Sequence, residues 1–132
     1  MVSVVLGTVK LAENTQTVRV QFGEATTAGE AVYKKSDGKY WLADNIDITL
    51  GKVAGLACYD VAANGYSDMA VGGDIDLGAT LVLATEYVQG SVAGEIHLHS
   101  DLATGEIYSR VGYGKTTALL TIDIANTEVV AP

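Results

Sequence analysis

Apolar and polar residues alternate along much of the chain, in short runs that glycines separate. Near the C-terminus, Leu120, Ile122 and Ile124 alternate with Thr121 and Asp123, which is the period of a strand with one buried face. Other runs rich in valine, isoleucine, threonine and tyrosine favour strands as well. The predicted strands are Thr17–Phe22, Lys52–Tyr59, Tyr66–Val71, Ala79–Ala84, Glu95–His99, Glu106–Val111 and Ala118–Ile124.

Tight turns are predicted between these strands, because glycine and asparagine tolerate the positive φ of hairpin turns. The clearest hairpin joins Ala31–Lys35 to Lys39–Ala43. The turn candidates are Asp37-Gly38, Asn64-Gly65, Gly72-Gly73-Asp74 and Thr104-Gly105. No amphipathic helix of about ten residues is evident, although short helices at Ile46–Leu50 or Thr85–Gln89 are alternatives. We therefore predict an all-β fold, a small β-barrel or β-sandwich of short antiparallel strands with tight Gly-rich turns.

The 132 residues fit one domain. We predict an N-terminal strand or arm over residues 1–26 and a β domain over residues 27–132. Met1–Leu11 is rich in apolar residues, and apolar residues outside a core need a partner, so we expect this segment to pack on a neighbouring subunit or on a binding partner. Ala28-Gly29-Glu30 returns as Ala93-Gly94-Glu95. This echo reflects either two related hairpin units or chance.

Composition and charge limit the classes of partner that the chain can bind. The net charge is −8 and the basic residues are scattered except for Lys34-Lys35, so nucleic acid is an unsuitable ligand. No segment is long enough for a membrane span, and the N-terminus lacks the features of a signal peptide, so we expect synthesis in the cytoplasm. Only 18% of residues are charged and the mean hydropathy is +0.25. Apolar surface is thus expected to face a partner, for example Val53–Cys58 as a repeated contact between copies.

His97 and His99 are the first candidates for chemistry. On a strand they share one face, near Glu95 and Asp101, while Ile96 and Leu98 share the other. Zinc uses such ligands, but an exposed polar face opposite a buried apolar face explains the alternation without metal. We favour the second interpretation and predict no metal site.

The other motifs favour structural roles. Gly112–Thr117 resembles the end of a phosphate-binding loop, but Ser109 replaces the required glycine and a strand follows in place of a helix. Asp74-Ile75-Asp76 and Asp44–Asp47 lack the spacing of a calcium loop and are predicted to be acidic turns. Cys58 is predicted to be buried.

Trp41 and the seven tyrosines could line a sugar site. Cross-strand packing is the better interpretation, because Tyr33, Tyr40 and Trp41 lie where a hairpin would use them for it. No nucleophile lies in a catalytic context, and the sequence predicts neither catalytic residues nor a cofactor.

Three segments in order resemble the capsid decoration, or cement, proteins of tailed bacteriophages. They are Thr27–Tyr33, with a Gly-Glu-Ala-Val-Tyr run, Asp37–Ala43, and Lys52–Ala57, with a Val-Ala-Gly-Leu-Ala run. A weaker return covers Gly94–Leu98 and Arg110–Tyr113, so that the resemblance extends roughly over residues 27–124, while residues 1–26 have no counterpart. The resemblance implies a virion location on the capsid exterior, the major capsid protein as partner, a homotrimer, and no catalytic residues.

A virion structural protein that stabilises the capsid is therefore the leading hypothesis. The main alternative is a ligand-binding β module, such as a carbohydrate-binding or tail-associated adhesion domain. A small metal-dependent enzyme built on His97 and His99 is the weakest. Association with heads, binding of a soluble sugar and bound metal distinguish the three.

Overall fold

The computed structural model describes residues 4–46 and 52–130, with the side chain of Glu128 excepted. Within these residues, ten strands pair antiparallel and one 3₁₀ turn covers His99–Asp101. The strands are β1 (Lys10–Leu11), β2 (Gln16–Gln21), β3 (Ala31–Lys34), β4 (Tyr40–Leu42), β5 (Gly55–Ala57), β6 (Tyr66–Asp76), β7 (Glu86–Gln89), β8 (Ile96–Leu98), β9 (Ile107–Gly114) and β10 (Leu119–Val130). The prediction of an all-β fold is confirmed.

The sheet follows the order β4-β3-β5-β6-β10-β9-β7-β8, and both β1 and β2 pair with β6. It curls into a half-barrel whose ends approach each other at the turn between β7 and β8. Gly94 N donates to Ala43 O (2.7 Å), Ala31 N donates to Gly94 O (2.9 Å) and Asn45 N donates to Gly90 O (3.1 Å). These backbone bonds join the two halves of the chain.

The main core lies inside this curl and draws side chains from both halves. Its members include Tyr33, Leu56, Tyr87, Ile96 and Leu120. A second, smaller cluster of Phe22, Val32, Ala57 and Met69 covers the other side of the first-half strands. Because successive strand residues point to opposite faces, burial on both sides explains why β3 and β5 are buried almost throughout.

This double burial corrects the predicted contact between copies. Val53, Leu56 and Cys58 are at most 2% exposed, so Val53–Cys58 is interior and presents no face to another copy. The run is apolar because it is central to the sheet, and sequence alone did not distinguish that from an interface.

Two element predictions in the middle of the chain are wrong. Ala79–Ala84 is an irregular connection, not a strand, and Glu86–Gln89 is β7, where a short helix over Thr85–Gln89 was an alternative. Leu81 N donates to Thr117 O and Ala84 N to Gly114 O, so the connection is fixed by the β9–β10 turn and not by a strand partner. The alternative helix at Ile46–Leu50 falls largely outside the described residues.

The predicted turn at Gly72-Gly73-Asp74 is also wrong, because β6 continues through it to Asp76. Gly73 has φ +76°, and the register between β2 and β6 shifts beside Gly72. Such an irregularity marks a β-bulge, which glycine accommodates inside a strand. A Cβ on Gly73 would collide with the backbone of Asn14. The Asp37-Gly38, Asn64-Gly65 and Thr104-Gly105 turns do separate strands.

The sequence echo coincides with a recurring turn. Glu30 N donates to Thr27 O, Glu95 N to Val92 O and Glu106 N to Ala103 O. The glycine before each glutamate has φ between +83° and +91°, as the third position of a type II turn requires. Each turn leads into a strand, namely β3, β8 or β9. Strand order differs around them, since β3 lies between β4 and β5 whereas β8 is at the end of the path, so the shared feature is the turn.

The N-terminal residues lie against the domain. Val4, Leu6 and Val9 pack against the main core, Val4 N donates to Ile96 O, and Gly7 N donates to Leu77 O. β1 and β2 then pair with opposite halves of β6. Within one chain this segment therefore contributes to the sheet and core. The division at residue 26 and the packing on a neighbouring subunit stay predictions.

Candidate functional site

The two histidines do not share an exposed face. His97 is 0% exposed, and its Nδ1 lies 2.9 Å from Leu98 O. His99 is exposed in the 3₁₀ turn, with its ring centroid 4.8 Å from that of Tyr108. The expectation of an exposed polar face is wrong for His97. Among residues 4–46 and 52–130, no three His, Cys, Asp or Glu side chains are grouped as metal ligands would be.

Burial of His97 has a local cause. It pairs with Val88 across β7 and β8, and a Cβ on Gly90 would lie 2.9 Å from its ring Cδ2. The missing side chain at Gly90 thus makes room for the imidazole. Gln89, on the opposite face, is equally buried and donates from Nε2 to Ala43 O (2.6 Å) and Glu95 O (2.9 Å). The Gln89 amide thus links the end of β7 to the residue after β4 and to the residue before β8.

The segment that resembles a phosphate-binding loop forms the hairpin turn between β9 and β10, and a strand follows it as expected. Lys115 N donates to Leu119 O, and Thr116 Oγ1 accepts from the backbone N–H groups of Ala118 and Leu119. Lys115 Nζ contacts Asp74 Oδ2 at 2.7 Å. The lysine is therefore paired with a carboxylate of β6.

Asp74 is the centre of a buried polar network and not part of an acidic turn. It is 5% exposed. Its Oδ1 accepts from Thr121 Oγ1 (2.8 Å), and its Oδ2 accepts from Asn14 Nδ2 (3.2 Å) and Lys115 Nζ. Hydrogen bonding to Lys115 is the main cause that lowers the pKa of this carboxyl. Both oxygens are occupied by protein donors, so the role that the structure supports is structural.

The other acidic candidate is a local turn. Asp44 Oδ1 accepts from Ile46 N (3.1 Å), and Asn45 is buried with Nδ2 donating to Gln89 O (3.0 Å). Asp47 lies outside the described residues. The described part of this motif packs against the end of β7.

Cys58 is 1% exposed, which confirms its predicted burial. Burial, followed by the charge of Asp68, raises the pKa of its thiol to about 11. Because the thiolate is the nucleophilic form, this cysteine is unreactive in the folded chain.

The predicted aromatic packing is confirmed. Tyr33 pairs with Trp41 across β3 and β4 and is 5% exposed. Trp41 Nε1 donates to the Asp37 carboxylate, Lys35 Nζ lies 4.4 Å from the ring centroid, and Gly23 lies against the ring. The indole ring therefore makes its polar and packing contacts within the same chain.

Exposed apolar side chains gather around one shallow groove. Val5, Val82 and Leu83 are 82%, 51% and 56% exposed. The groove, which we call the apolar groove, has a volume of about 320 Å³ and is lined by Val4, Val5, Ala79, Thr80, Val82, Tyr87 and Leu98. It offers contact area but little polar chemistry.

Charge is concentrated at two further places. Lys34 at the end of β3 and Lys35 in the turn that follows are exposed, and Lys39, just before β4, is partly exposed. We call this turn with its three lysines the basic tip. A second groove, the acidic groove, has a volume of about 300 Å³ and is lined by Val4, Val5, Leu6, Thr27, Glu30 and Glu95. The sequence indicated only the Lys34-Lys35 pair. It did not indicate the groove, because the two glutamates of the groove come from two distant copies of the recurring turn.

In the described part of the chain, no helix is both long and apolar enough to cross a membrane. A scan of the sequence against models of known protein families finds no match, and a search of curated protein sequences finds none either.

Proposed function

We propose that the chain is a capsid decoration protein, which binds the outer surface of the assembled major capsid shell of a tailed bacteriophage and stabilises that shell. The observation that carries the proposal is the resemblance of residues 27–57 to that family. In support, the three matching segments are neighbours in space, since they contain β3, β4 and β5, which pair in the order β4-β3-β5. The matching residues thus form one folded unit.

The surface suits a protein that works by contact. Val5 and Val82 line the apolar groove, Leu83 follows Val82 in the chain, and all three are exposed. Exposed apolar patches mark interaction sites. The carboxylate of Asp74 and the Nε2 of Gln89 are hydrogen-bonded to other groups of the chain. We propose that the apolar groove is the face that meets the major capsid protein, and that the chain has no catalytic role.

The proposed effect on the shell is mechanical and thermodynamic. A protein that binds the assembled shell and not its dissociated subunits shifts the equilibrium towards the shell, by about 2.7 kcal/mol per site at a free concentration a hundred times the dissociation constant. Backbone hydrogen bonds join the two ends of the sheet, so the domain is ordered before it binds. Binding therefore loses little conformational entropy.

Co-sedimentation with expanded heads of the phage that carries the gene tests the proposal. The wild-type protein should pellet with heads and raise the temperature at which they release their genome. Val82→Asp/Leu83→Asp should abolish both effects, because charges would enter the apolar contact. Val129→Asp/Val130→Asp is the matched control, since these valines are similarly exposed at the end of β10.

Three results would contradict the proposal. The protein could fail to pellet with heads, it could pellet without changing their resistance to heat, or both double variants could bind as well as the wild type. A soluble sugar that binds near an exposed tyrosine such as Tyr66, without binding to heads, would favour the ligand-binding alternative.

A further inference from the structure

The basic tip has a charge opposite to that of the rest of the protein. Residues 34–39 contain three lysines and one aspartate, a net charge of +2, and because the whole chain carries −8, the remainder carries −10. The tip is also ordered from within. Lys35 lies over Trp41, Trp41 donates to Asp37, and Lys39 Nζ donates to Asn64 Oδ1 at 2.9 Å. The three charges are thus presented on a fixed hairpin.

The acidic groove concentrates negative charge beside an apolar wall. Burial is the largest cause that raises the pKa of the Glu30 carboxyl, and the charges of Glu24, Glu95 and Asp60 raise it further. Glu30 also accepts from Thr27 N at 2.6 Å, so its carboxylate is held in place. A cation in the groove would relieve the repulsion among these carboxylates. The adjacent Leu6 would contact the methylenes of a lysine. Val4 and Val5 line both this groove and the apolar groove, so the two proposed contacts adjoin each other there.

Tip and groove cannot neutralise each other within one chain. Glu30 immediately precedes β3 and Lys34 ends it. Four residues of extended strand, at about 3.3 Å per residue, separate the two by roughly 13 Å. This exceeds the Debye length of about 8 Å at physiological salt. Opposite charges are therefore held at the two ends of one short strand, too far apart to pair with each other within one molecule.

We propose that the basic tip of one copy docks in the acidic groove of a second copy. Because the contact joins two different surfaces, it is heterologous, and repetition around an axis closes a ring. A ring of three is the trimer of the proposed function, and only the number three rests on that function. Lys34 and Lys39 supply the charge that the groove attracts, while Lys35 remains on Trp41 and keeps the hairpin in shape.

Light scattering and sedimentation equilibrium of the full chain test the contact. Wild-type protein should form oligomers whose dissociation constant rises as sodium chloride is added, because exposed charge pairs are screened. Lys34→Glu/Lys39→Glu should raise that constant by about tenfold or more, and Glu95→Lys should act in the same direction. Lys34→Glu/Lys39→Glu/Glu95→Lys should regain part of the association, because the tip is then negative while the groove loses its net negative charge and gains a lysine.

A matched control separates this contact from the effect of net charge. Lys10→Glu/Lys52→Glu changes the charge by the same amount at exposed positions outside the basic tip, and should leave the dissociation constant within about twofold of wild type. A wild-type monomer at low salt, equal weakening by the control, or no recovery in the combined variant would overturn the proposal. Circular dichroism would verify that each variant is folded.

Capsid binding distinguishes the failure of this contact from the failure of the proposed function. Single copies that bind heads would leave the decoration role standing and remove the contact between copies. Conversely, oligomers that respond to charge reversal as described, but ignore heads, would retain the contact and remove the decoration role.

Discussion

Asp74 provides the sharpest test of how the half-barrel is held together. Its side chain links three parts of the chain, because the donors to its carboxylate lie on β10, in the β9–β10 turn and in the segment before β2. Asp74 N also donates to Asn14 Oδ1 at 3.1 Å. Asp74→Asn preserves the shape of the side chain and an acceptor for Thr121, but places an amide N–H where Lys115 and Asn14 now donate.

The cost follows from the two bonds that are lost. Lys115 has a side chain 54% exposed, so its ion pair is worth only about 1 kcal/mol. The bond from Asn14 to the charged carboxylate adds about another 1 kcal/mol. We therefore expect Asp74→Asn to lower the free energy of unfolding by about 2 kcal/mol in urea titrations at about pH 7. Lys115→Met combined with Asp74→Asn should reveal a coupling of about 1 kcal/mol.

The effect should depend on pH with a definite sign. The pKa of Asp74 is lowered on folding, so the stabilisation is present above the unfolded pKa of about 3.9 and is lost as the pH falls through the folded value. The gap between wild type and Asp74→Asn should hence shrink below about pH 4. Asp123→Asn is the control, because Asp123 is 53% exposed in its pair with Arg110. An equal cost for both variants, or a gap for Asp74→Asn that grows in acid, would refute this reasoning.

Three further predictions concern the rest of the domain. Protein purified without any chelator should contain zinc far below one atom per chain, and one tightly held zinc lost in His97→Ala would contradict this. The Cys58 thiol should react with a thiol reagent only as fast as the chain unfolds, whereas rapid reaction in folded protein would contradict its burial. Both Gly38 and Gly94 have positive φ, so we expect Gly38→Ala to lower the free energy of unfolding by about 1 kcal/mol. Gly94→Ala should lower it further, because a Cβ there would also lie 2.7 Å from Glu30 Oε2. Equal melting temperatures for the two alanine variants would be inconsistent with that contact.

The sequence predicted the parts of the fold that local rules determine. The hairpin from β3 to β4 follows from β-forming arms around Asp37-Gly38, and Leu120 and Ile122 are buried as the alternation in β10 predicts. The same reasoning from β-forming residues was wrong for the 79–84 connection, which it predicted as a strand. Its Val82 and Leu83 are apolar but exposed, and an apolar run does not indicate whether the chain itself or a partner covers it. The error thus coincides with the surface that we propose for the capsid.

Other features depend on residues that meet only after folding, and no local pattern contains them. Alternation around His97 predicts a polar outer face, but the imidazole is buried because Gly90, in the preceding turn, leaves space above its backbone. The acidic groove has a similar origin. Each Gly-Glu turn alone forms a strand entrance, and the groove exists because Gly94 bonds to both Ala31 and Ala43 and so brings Glu95 beside Glu30. The bonds that close the half-barrel therefore also build the surface to which we assign the basic tip of a second copy.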